Sequence, residues 1–473
     1  MPAEFPNTLT SAVQDNLESH IARLQRYIRQ SSISALAQGN MEMAAMLAED
    51  ICTLGGQADV VSGVDFPIVY GQIDVNAPRT VLIHSMYDTT PADEPEWTVP
   101  PFAGRRLDFE DLGECIVARG AEDTKGPVSA VLAMIDSYRR AHIDLPVNLI
   151  LLFEASELGS ASLPPFVRSH AAELKRANVA YWPWHTQRSD GTAVAWLGCK
   201  GLLTLRLRVR SDAWGGPLKS EIHAQHSSWV ANPVHELIAA LASLKTKDDL
   251  DIAVDGFDGD SPAPSPEDEE LVRKLAARLN PDLLLSEIGA ACFKHSRFRD
   301  ALRAHLLKPE LNISGIQGGY AAENGHKVII PDEASANLDI RPITGMSVDQ
   351  VLACLRRHFD RHGFGHVEIM SGGGYAGGRV PLSNWAAQAL TATYREMGFD
   401  PEIWPRTATA IAVDLFTETL GIPWVGSCLG HAGRKHAANE YLQLSTYAGA
   451  IEFISRLMWR MGKMTNEEEN LPR

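Results

Sequence analysis

The chain has 473 residues, a formal net charge of -16 and 45% hydrophobic residues. That is enough apolar content for two or three packed domains, and the dispersed acidic surplus excludes nucleic acid and membrane as expected partners. The six cysteines are scattered with no CxxC pair, which fits buried thiols in a reducing, cytoplasmic setting. No apolar run approaches a membrane span, and MPAEFPNTLT has no basic stretch followed by an apolar core, so no signal peptide is expected.

In chain order, Val13, Leu17, Ile21, Leu24 and Ile28 form one helical stripe. A second helix is predicted over residues 41–54, ended by Gly55-Gly56. Strand-like runs follow at 59–62, 67–72 and 80–83, the last running into HSMYDTTP. A Pro-rich loop with Trp97 leads to ARGAEDTKGPVSAVLAMI, residues 118–135. Gly120 and Gly126 bracket its charges, and Val128, Val131, Leu132 and Ile135 fall at helical spacing. Asp123 therefore precedes a helix N-terminus, where a carboxylate is favoured; on this alone it is equally well a simple cap. A buried strand over 147–153 then runs into EASELGS. Strand, polar loop, helix and strand is the rhythm of an α/β sheet with ligands at strand ends.

The pattern changes near Gly201. Leu203, Leu205, Leu207 and Val209 alternate with Thr204, Arg206, Arg208 and Arg210, a two-faced strand. Further strands are predicted at 311–313, 334–340 and 367–370, helices at 233–244 and 348–362, and an acidic, Pro-rich loop at 255–270. Residues 203–372 read as an inserted α+β lid and dimerisation domain, with 1–202 and 373–473 as the two parts of an α/β catalytic domain. The α/β rhythm returns from Trp385 and closes with a helix over 441–461.

The motifs VLIHSMYDTTP, ARGAEDTKGPV, LPVNLILLFEASELGS, WLGCKG, IHAQHSSWVANP, IIPDEASANLDIRP and HAGRKHAANEYL resemble, in order and spacing, the two-zinc aminoacylase, acetylornithine deacetylase and carnosine dipeptidase family of metallopeptidases. The branch it most resembles looks like the carnosine dipeptidases. The resemblance implies a catalytic α/β domain, a mixed sheet flanked by helices, interrupted by the lid. It also implies two zincs sharing a bridging Asp, and a Glu base. The bridging Asp falls on Asp123, and the His of the closing motif on His436 with Asn439-Glu440 after it. Asp88 matches, but the His two residues before it is Met86, and a thioether is a poor zinc ligand. His84 shares that strand face one pleat further back, roughly 7 Å away. The Glu-Glu pair falls on Ser156-Glu157, and the last carboxylate on Trp184, next to His185.

On lid and substrate positions, His223 matches the His that reaches an active site across a dimer, and Arg341 the Arg that grips a substrate carboxylate. Asn312 lies in the stretch leading to it, and the family's R-E-G-G-S-I-P loop reads RTATAIA, with Thr409 inside it. Substrate contacts are expected from Arg341, Asn312, Met86, Trp184, His185 and Thr409, and catalysis from Glu157, His436, Asp123 and His223.

With Met86, Ser156 and Trp184 at metal-site positions, ligand counting leads to an enzyme without a metal cofactor. On that reading it acts by acid–base chemistry on a small carboxylate-bearing amide, forming or cyclising amide bonds, or moving protons. One alternative is a one-metal dipeptidase or amidohydrolase, with zinc at reduced stoichiometry on Asp123, Glu157 and His436. Another is a non-catalytic binding protein. A homodimer through the inserted domain is expected in each case.

Overall fold

The computed structural model describes residues 4–155, 161–257, 263–321 and 325–464. The chain forms two compact units: Met1–Gly198 with Arg379–Trp404 and Leu415–Arg473, and Cys199–Gly378 with Pro405–Asp414. The insertion thus begins a few residues earlier than 203 and ends later than 372. It also takes ten residues from the C-terminal part, which the hydropathy pattern did not mark.

The first unit is built on an eight-stranded sheet. Its strand order is Gln57–Val61, Ile68–Ile73, Asn148–Glu154, Thr80–Met86, Val179–His185, Trp424–Cys428, Val194–Trp196 and Glu402–Trp404. The central four, from Asn148–Glu154 to Trp424–Cys428, run parallel, with antiparallel neighbours on each flank. Parallel strands covered on both faces need continuous apolar runs, and Val179–His185 is buried at every position. Helix Lys125–Arg140 packs on strands Thr80–Met86 and Val179–His185 and against helices Leu17–Arg29 and Leu444–Lys463. It is buried on all sides through Tyr138, as a helix with neighbours all round must be. The N-terminal stripe belongs to two helices, Asn7–Asp15 and Leu17–Arg29, broken at Asn16. The closing helix starts at Leu444, because Tyr441–Gln443 pairs as a strand with Glu114–Val117.

The second unit holds a four-stranded antiparallel sheet, ordered Glu310–Gly318, Glu333–Arg341, Leu202–Arg210 and Glu368–Tyr375. Leu203, Leu205, Leu207 and Val209 point to a core shared with Leu237, Leu241, Leu338, Ile340, Leu355 and Phe359. Burying each such side chain contributes about 1.5–3 kcal/mol. The acidic stretch predicted as loop is helical from Pro266 to Arg278. It starts in a capping box, Ser265 accepting from the Asp268 N–H and Asp268 from the Ser265 N–H.

Candidate active site

The carboxyl ends of the parallel strands carry Met86, Glu154, His185 and Cys428. Ligands gather at this edge in parallel sheets. The loop after Val117 crosses it and is shaped by glycine. Gly120 has φ +90°, and a Cβ at Gly126 would lie 2.2 Å from the Ala121 carbonyl oxygen.

One buried carboxylate holds this loop. Glu440 Oε1 accepts the backbone N–H groups of Gly120, Glu122 and Asp123 at 3.1, 2.8 and 2.9 Å. Its Oε2 takes Arg119 Nη1 at 3.1 Å, and both side chains are fully buried. Burial, with Asp123 and Glu122 beside it, pushes the Glu440 carboxyl up to about 8. Four donors converge on it, which favours the ionised form locally. Arg119 also pairs with Glu94, and lies over the Trp97 ring at 5.3 Å. Asn439 ties the 96–98 loop down, accepting from Thr98 and donating to the Glu96 carbonyl.

Asp123 is thereby set in place, 5% exposed. His436 Nε2 lies 3.1 Å from its Oδ2, and its Oδ1 is buried with no hydrogen-bond partner among the described residues. His436 is on a left-handed backbone, φ 59°, with its side chain half exposed. Glu122, next in the loop, accepts the Lys435 N–H at 3.1 Å, and burial pushes its carboxyl up to about 7.

The other expected residues fall as follows. Glu157 and Ser156 lie outside the described residues. Met86 ends its strand opposite Glu154 in the register. His84 is committed elsewhere: its Nε2 pairs with Glu154 Oε1 at 2.8 Å, both 1% exposed, and its ring packs on Trp182 and Phe416. Asp88 is buried and accepts the Ser34 hydroxyl. Trp184 stacks on Trp182, and the Lys435 ammonium sits 5.6 Å over its ring. His185 donates from Nδ1 to the Leu429 carbonyl at 3.0 Å. Its Nε2 faces Gly126, and burial holds the ring below the usual imidazole range.

In the second unit, Arg341 donates to the Ala408 carbonyl at 2.9 Å and shares a cavity with Asn312. Thr409 receives the Thr407 hydroxyl beside that carbonyl. His223 is exposed on the short strand Ile222–His223, where its Nδ1 accepts the Gln225 N–H, and it does not line the cavity. The structure therefore joins Asp123 with His436, and Arg341 with Asn312. Sequence reading missed the hub roles of Arg119 and Glu440, and Lys435. The available signals were that Lys435 adjoins His436, that Arg119 shares the Asp123 loop and that Glu440 belongs to the closing motif.

The model for peptidase family M20/M25/M40 matches residues 82–460. The chain belongs to this family. Among curated relatives, the Candida albicans Cys-Gly metallodipeptidase DUG1 is 25% identical over 96% of this chain and 97% of its own. The rat Beta-Ala-His dipeptidase is 27% identical over 92% and 90%. Among solved structures, the M20 family metallo-carboxypeptidase Sso-CP2 from Sulfolobus solfataricus superposes with a TM-score of 0.85 at 28% identity, covering 94% of this chain and 99% of that one. The M20 membership makes the chain an amide-bond enzyme, with a catalytic domain and an inserted lid domain.

These relatives overturn the expectation of a metal-independent, non-hydrolytic enzyme without a cofactor: by name DUG1 is a metallodipeptidase, Sso-CP2 a metallo-carboxypeptidase and the rat protein a dipeptidase. Counting replaced ligands treated every substitution as a lost site. The structure shows instead that the Asp123 and His436 pair persists, with a bare carboxylate oxygen. Among the described residues no three His, Cys, Asp or Glu side chains are grouped to hold a metal. Asp123 and His436 supply an oxygen and a nitrogen donor suited to one divalent ion. No described helix is long and apolar enough to cross a membrane.

Proposed function

We propose that the protein hydrolyses the amide bond of dipeptide-sized substrates carrying a carboxylate, with one metal ion held by Asp123, His436 and, from its place in the sequence, Glu157. The observation that carries this is the buried Asp123 Oδ1 beside His436, without a hydrogen-bond partner among the described residues. A divalent metal in such a site supplies Lewis acidity toward the scissile carbonyl and a water of lowered pKa. The chain's own part is to hold the donors still. Glu440 fixes the Asp123 backbone, and the left-handed turn at His436 aims its ring. Arg341 offers a guanidinium fork for the substrate carboxylate.

A homodimer through the inserted domain belongs to this reading, with His223 serving a partner subunit's site. Its support is the exposed edge strand Glu310–Gly318, which shows Ile313 and Ile316, and the opposite edge strand with Met370 exposed. Light scattering at micromolar concentration should give twice 51.7 kDa. A cytoplasmic location is proposed from the six free cysteines.

The deciding experiment is hydrolysis of Cys-Gly and β-Ala-His by the purified protein with Zn²⁺ or Mn²⁺ added. Cleavage that stops with a chelator and in Asp123→Asn supports the reading. Turnover indifferent to the chelator sinks it.

A further inference from the structure

The outer face of the second unit's sheet is built unlike its inner face. Leu311, Leu338 and Ile340 point into the apolar core. On the same two strands, Glu310 stands across from Arg341, and Asn312 across from Asp339. The helix Phe298–Leu307 and the turn at residues 245–252 border this charged face and leave a cavity of about 530 Å³.

The charges there do not simply cancel. Glu310 gives its carboxylate to the buried Lys200 and not to Arg341. Lys245 and Lys294 share Asp249, and Lys308 takes Asp251. Arg341 makes one hydrogen bond, to a neutral carbonyl, through Nη1. Asp339 accepts one N–H, from Asn312 on Oδ2 at 2.8 Å. A guanidinium and a carboxylate, neither matched by an opposite charge among the described residues, therefore face one cavity from positions two apart on a strand, roughly 7 Å between Cα atoms.

We propose that this cavity binds the zwitterionic head of an α-amino acid, its carboxylate on Arg341 and its ammonium on Asp339. A ligand with only a carboxylate would meet Asp339 as a like charge. One with only an ammonium would meet Arg341. An α-amino acid carries both signs on one carbon and satisfies both groups. The inference rests on the proposed function in one respect, the use of Arg341 as carboxylate anchor. It adds that the cavity favours a free α-amino acid over an amide-linked residue, whose nitrogen carries no charge.

Calorimetric titration of the full-length protein with L-alanine, propionate and ethylamine tests this. L-alanine is expected to bind at least about tenfold more tightly than either one-charge probe. The isosteric Asp339→Asn should lose that preference while keeping propionate binding, and Arg341→Lys should weaken both carboxylate probes. Equal affinity for alanine and propionate, alanine binding unchanged in Asp339→Asn, or no heat from any probe would overturn it. Should Asp339→Asn not fold, the wild-type comparison still decides. Binding needs no turnover, so alanine binding without dipeptide cleavage sinks the hydrolase reading and leaves this one standing. Cleavage without an alanine preference does the reverse.

Discussion

The two polar centres of this molecule are constructed in opposite ways. At Asp123 the polar groups are buried and answer one another: Arg119, Glu440 and three backbone N–H groups close a network, and one carboxylate oxygen is left bare. At Arg341 they line a cavity that is half open, on side chains projecting from a sheet face. The first arrangement positions a reacting group, because a satisfied low-dielectric network has few alternative geometries. The second recognises charge, and tolerates adjustment. Damage to the Arg119–Glu440 network should therefore cost stability as well as activity, and loss of the groups it positions activity alone, whereas damage to the second centre should cost affinity alone.

The sharpest break of that contrast is Arg119→Met. It leaves Glu440 fully buried without its cation, and removal of one partner from such a pair typically costs about 3–5 kcal/mol. Urea denaturation should show a loss of that size, and a change within 0.5 kcal/mol, roughly the level of an exposed substitution, would mean that the hub is dispensable. Next, Asp123→Asn and His436→Ala should each lower kcat/KM by roughly a hundredfold or more while the melting temperature stays put, since neither packs a core. In the second unit, Arg341→Ala should weaken carboxylate binding about 30-fold, with partial recovery in Arg341→Lys and no change in the urea midpoint.

The smallest effect concerns His20, a second buried polar group of the first unit, bonded to Ser137 and facing Asp136, Arg23 and Arg140. Burial, followed by Arg23, holds its imidazole down at about 4, against 6.5 in the unfolded chain. Between those values the unfolded state carries the extra proton, so stability falls as pH drops from 6.5 to 4 and the full contribution is present above 6.5. His20→Gln should flatten that fall by on the order of 1–2 kcal/mol. Comparing urea midpoints at pH 7 and 4.5 for both proteins checks it.

Much of this was legible without coordinates. Apolar runs at 80–83 and 147–153 had to be buried strands, and the alternation from Leu203 to Arg210 had to have one wet face, since side-chain period and burial are tied locally. The order of motifs pointed to the family, and the Asp123 loop to a site. What sequence could not supply was which charges meet. Arg119 and Glu440 are 321 positions apart and touch only because Tyr441–Gln443 pairs with Glu114–Val117. Residues 405–414 join the second unit, and Arg341, because the tertiary fold brings the Ala408 carbonyl to a guanidinium 67 positions earlier. His84 shared the strand face of Met86 but lay one pleat too far back to replace a ligand there, and the structure shows it spent on Glu154. Periodicity is a property of neighbours in the chain, whereas pairing of buried charge is a property of neighbours in space, and only the packed fold decides the second.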